Sequence, residues 1–108
     1  MTIDQTNVID FAAIDPKTDE ATLFLTDHLE WGNDDKGHML LLQEKINSYV
    51  AAMESGEIYE LYPKSIGRKL SIRVLGKYPL NEGANDFFDQ VRSFLLEAGF
   101  KIEFELAS

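Results

Sequence analysis

Cysteine is absent from the 108 residues, which excludes disulfides, thiolate nucleophiles and cysteine-ligated zinc and favours a reducing compartment. No hydrophobic run approaches the roughly 20 residues a membrane-spanning helix needs. The first ten residues carry Asp4 and Asp10 and lack the basic and apolar regions of an export leader, so a cytoplasmic protein with no membrane contact is expected. Positive charge is scarce as well. Ten Lys and Arg stand against 19 Asp and Glu, for a net charge of −9. Thirteen acidic and three basic residues precede Lys64, a net of −10, and the remainder is nearly balanced. Such a field repels phosphate backbones and argues against nucleic acid as a partner.

Signatures of catalysis are missing too. No GxGxxG or P-loop is present, no serine sits in a glycine-flanked elbow, and there is no HExxH. No cofactor is expected, and the balance leans away from an enzyme. Asp86 and Asp89, three apart on one helix face, read as solvated charge rather than an acid–base pair.

What is present suits one soluble domain spanning residues 1–108. Hydrophobic residues make up 44%, enough for a core at this length. "VIDFAAI" (8–14) and "ATLFLT" (21–26) flank the turn-forming "DPKTDE", which predicts a β-hairpin. Met39, Leu42, Ile46, Tyr49, Val50 and Met53 recur at helical spacing and predict a helix from about Asp35 to Ser55, with Asn33 or Asp34 as cap and Gly56 as stop. "EIYELYP" reads as a short strand, and Leu70, Ile72 and Val74 alternate as a longer one. Asn81 caps a second helix with a stripe of Ala84, Phe87, Phe88, Val91 and Leu95. Phe100, Ile102, Phe104 and Leu106 alternate strictly with charged residues, the cleanest strand pattern in the chain. The expected architecture is α+β: a two-layer sandwich of order β-β-α-β-β-α-β, with both helices on one face of a mixed, mostly antiparallel sheet. The acid-free stretch holding Lys64, Arg68, Lys69, Arg73 and Lys77 falls on the second hairpin of this scheme, where it reads as a solvated edge.

The segment "TDHLEWGNDDKGHM" (26–39) gathers four acidic residues, both histidines and the only tryptophan. Asp27, His28, Asp34 and His38 include the residue types of a divalent-metal or acid–base site. The two histidines are ten apart, however, and no calcium-loop spacing is present, so capping and solvated charge are the favoured reading. Trp31, in a loop, either covers the core with Leu29 or anchors a partner, while Asp27 and Glu30 would face water. On the sheet face opposite the helices, Phe24 and Leu75 would point outward and form an interface if they cluster.

"HMLLLQEKINSYVAAMESGEIYELYP", Asp27-His28-Leu29 with Trp31, "GRKLSIRVLGKYPLN" and "LLEAGF" together resemble a family of small bacterial proteins catalogued as a domain of unknown function. The resemblance runs over nearly the whole chain. It implies a cytoplasmic bacterial protein and no particular activity, cofactor or residue role. The function expected from the residues is protein–protein contact, as in an immunity or accessory protein. Asp27, Glu30, Trp31, Asp34, Phe24 and Leu75 would be its contact residues, and a basic protein its partner. The alternatives are a metal-dependent ligand binder or enzyme built on residues 27–38, and a homodimer through the open sheet face.

Overall fold

The computed structural model of the chain describes residues 11–107, with the backbone alone at Phe11. Strand β1 (Phe11–Ile14) pairs antiparallel with β2 (Ala21–Asp27). Residues 8–10 of the expected first strand lie outside the described residues. The aspartate at the head of the turn organises it. Asp15 Oδ1 accepts the Lys17 N–H at 2.8 Å, and the Asp15 carbonyl accepts that of Asp19 at 2.8 Å. Asp19 itself sits at φ +62°, a left-handed conformation that aspartate tolerates better than most side chains.

Helix α1 (Asp35–Ser55) leads from β2 to β3 (Leu70–Gly76), and α3 (Glu82–Glu97) leads from β3 to β4 (Lys101–Leu106). Strand order is β1-β2-β3-β4, with β2–β3 and β3–β4 parallel. Each crossover helix is long enough to run back along the sheet, about 24–32 Å at 1.5 Å per residue. Register aligns Leu23 with Ile72 and Ile72 with Ile102, so one face of the sheet is apolar across three strands. Those side chains join Leu42, Ile46 and Tyr49 of α1 and Phe88 and Leu95 of α3 in a single buried cluster. Both long helices therefore cover the same face, as the stripes predict, and the class is α+β. Among the described residues no helix is long and apolar enough to cross a membrane.

Two expectations change. Residues 57–61 are helical rather than a strand: Gly56, at φ +84°, ends α1 and directly opens the short α2 (Glu57–Leu61), which leads through Tyr62 into a 3₁₀ turn at Pro63–Ser65. The apolar residues of "EIYELYP" also satisfy helical spacing, and Tyr62 N–H closes on the buried Ile58 carbonyl at 2.8 Å. With no strand there to reverse direction, the sheet is mixed but not mostly antiparallel. Its four described strands make one antiparallel and two parallel pairings. Consequently β3 is interior, and Arg73 lies between Phe24 and Glu103 in register rather than on a solvated edge.

Candidate functional site

Alternation along β2 turns Leu23, Leu25 and Asp27 to the same, helix-covered side. Asp27, at the strand's last position, thus carries a carboxylate under the first turns of α1 and is only 2% exposed. Asp34 caps that helix by accepting the Gly37 N–H at 3.2 Å. One residue later His38 opens the buried stripe of α1 and is 3% exposed. The two meet: His38 Nε2 lies 2.6 Å from Asp27 Oδ2. The second carboxylate oxygen accepts the Leu29 N–H at 3.1 Å.

The loop between β2 and α1 folds back over this pair. Trp31 stacks on the His38 ring with centroids 3.7 Å apart and planes 21° from parallel. Gly32 takes φ +106°, a backbone conformation that favours glycine, and its N–H donates to Asp35 Oδ1 at 2.6 Å. Asp35 Oδ2 accepts from Asn81 Nδ2 at 2.8 Å, tying the start of α1 to the cap of α3. The Gly32 N–H, and after it the Asn81 amide, hold the Asp35 carboxyl below the ordinary aspartate value of 3.8.

Chemically, a carboxylate on Nε2 selects the tautomer with its proton there and leaves Nδ1 as an acceptor. That Nδ1 is buried and finds no hydrogen-bond partner. His38 lines a surface depression of about 460 Å³ with Leu29, Asp34, Gly37, Leu40, Leu41 and Glu44.

The residues singled out in the sequence are only partly brought together. Asp27 does not face water but is buried on His38, and Trp31 is half-buried against the core together with Leu29. Glu30 is exposed and accepts from Asn33 at 3.4 Å. His28 is exposed while Asp34 is engaged in capping, so the four candidate metal ligands do not converge. Among the described residues no group of three or more His, Asp or Glu is placed to hold a metal. Phe24 and Leu75 lie on the sheet face away from the helices, both half-buried and apart from the Asp27–His38 pair.

Two features escaped the sequence reading. Lys45 is fully buried, with Nζ 5.5 Å from the centre of the Tyr49 ring, and Tyr49 Oη donates to the Phe24 carbonyl at 2.7 Å. The signal was its spacing, seven residues after His38 and four before Tyr49, within the apolar stripe. Second, α1 and α3 leave a groove of about 580 Å³ between them. Phe87, Val91 and Phe94 line it on the α3 side and Gln43, Ile46 and Asn47 on the α1 side. Phe94 is 63% exposed.

Comparison with known proteins places residues 1–108 within one family, described as "Family of unknown function (DUF6572)". No curated protein and no solved structure matches the chain.

Proposed function

The chain belongs to that family of unknown function, and we propose from its own geometry that it is a cytoplasmic protein-binding module of the immunity or accessory type, docking a basic partner. The observation that carries this reading is the open groove between α1 and α3. Phe94 stands largely exposed there beside half-buried Phe87 and Val91, an apolar strip that water wets at a cost. Acidic side chains flank it at helical spacing: Glu97 lies one turn beyond Phe94, and Asp86 one turn before Gln90. An amphipathic basic segment suits both features, its apolar face in the groove and its cations along the rim.

The test is affinity capture from the source cells at low and high salt, with Phe94→Glu as a second bait. Since Phe94 is mostly exposed, the variant should keep the parent's melting temperature. A stoichiometric basic protein that salt releases and Phe94→Glu fails to retain is the expected result. Equal retention by both baits, or no basic protein on either, overturns the reading.

A further inference from the structure

The unpartnered Nδ1 of His38 points to a second, more specific contact. We propose that the depression beside His38 receives a lysine or arginine side chain of the basic partner, with an N–H of that side chain donating to Nδ1. The proposal rests on the basic-partner reading and names the residue class that the partner presents.

Three independent features select a cation. Asp27 occupies Nε2 at 2.6 Å, so the free nitrogen is an acceptor and calls for a donor. A buried acceptor without a partner costs roughly 1–3 kcal/mol, which a ligand's N–H would recover. The exposed rim contributes two carboxylates, Asp34 and Glu44, against which an anion would be repelled and a cation attracted. Leu29, Leu41 and the half-exposed Leu40 supply apolar walls of the kind along which lysine and arginine lay their methylenes. Lys36 and the buried Lys45 are the cations of α1, and neither lines the depression. The nitrogen itself is covered, so an entering side chain must displace what lies over it, and the stacked Trp31 ring will register that movement.

The experiment titrates the ¹⁵N-histidine-labelled protein with N-acetyl-arginine methylamide and Nα-acetyl-lysine methylamide. The neutral citrulline analogue serves as control. Expected is a saturable shift of the His38 Nδ1 resonance with a parallel change in Trp31 fluorescence, from one or both cations and not from citrulline. The larger response identifies the side chain. Glu44→Gln, an exposed substitution, should weaken binding about two- to fivefold. No saturable shift from either cation, or an equal shift from citrulline, overturns the proposal. The probes are single residues, so this failure would leave groove docking standing. Loss of groove docking in Phe94→Glu would in turn leave the titration unchanged.

Discussion

Removing both members of the Asp27–His38 pair should cost about as much as removing either one. Asp27→Ala deletes the acceptor of two buried donors, His38 Nε2–H at 2.6 Å and Leu29 N–H at 3.1 Å. Each stranded donor costs roughly 1–3 kcal/mol, and removing one partner of a buried pair typically costs about 3–5 kcal/mol. His38→Leu keeps much of the volume but leaves the Asp27 carboxylate, 2% exposed, with Leu29 N–H as its remaining partner. It belongs in the same range. If the two losses were independent, the double variant would lose about 6–10 kcal/mol, comparable to the whole stability of a small domain. Each substitution instead removes the defect that the other creates. The double variant should therefore cost about as much as either single one, with a coupling of about 3 kcal/mol or more.

Far-UV circular dichroism on urea and thermal denaturation measures all four corners of this cycle. At about 4–8 °C per kcal/mol, each single variant should melt roughly 12–40 °C below the parent. Trp31 fluorescence reports the same site directly, because its ring lies on His38. Single substitutions costing under about 1 kcal/mol, or a double variant additive to within about 0.5 kcal/mol, would refute the coupled-pair reasoning.

Two further expectations concern packing and pH. A Cβ at Gly76 would run into the Phe104 ring, so Gly76→Ala should destabilise by about 1–3 kcal/mol in urea denaturation, and Phe104→Leu on that background should recover part of it. Persistence of full stability in Gly76→Ala would show that the ring yields freely. For Asp35 the folded-state pKa is depressed, by the Gly32 N–H first and Asn81 second. Its contribution is therefore fully present above the unfolded value of 3.8 and is lost as pH falls through the lower folded value. Asp35→Asn should flatten the acid limb of a stability–pH profile below about pH 4 and leave the profile's shape at neutral pH unchanged. An unaltered acid limb would contradict the assignment.

Much of the scaffold was legible because local and tertiary preferences agree there. Asp34 and Asn81 cap the helices that their positions predict, and Gly56 ends α1 in the left-handed conformation. Ile102 and Phe104 face the core by simple alternation. Residues 57–63 were not legible, because a short segment holding Ile58, Tyr59 and Tyr62 fits period 2 and period 3.6 alike. Burial of Ile58 in the core cluster decided it. The site was half legible. Its residue types stood out, yet their pairing depended on extending the β2 alternation by one residue, from Leu25 to Asp27. Loop composition hid that step, since "DHLEW" looks solvated while the strand in fact carries its aspartate inside. Lys45 was missed for the opposite reason, since a lysine is seldom expected at 0% exposure.

Charge and apolar exposure together separate the interaction readings. Two copies of a chain carrying −9 repel one another at every distance within the screening length, so a homodimer would need a large apolar contact to offset that cost. The sheet face opposite the helices is a poor source of one. Phe24 and Leu75 are both half-buried there, and Arg73, Glu103 and Glu105 share the surface. Among the described residues the helix layer does expose apolar area, at Phe94 and Leu40, each more than half exposed with acidic side chains one turn away. An apolar strip within an acidic field is self-repelling toward its own copy and complementary to a basic amphipathic surface. The buried acceptor at His38 has the same polarity, open to an N–H and closed to another carboxylate. Groove and depression thus converge on one kind of partner through different physics, burial of apolar area in the first and satisfaction of a stranded acceptor in the second.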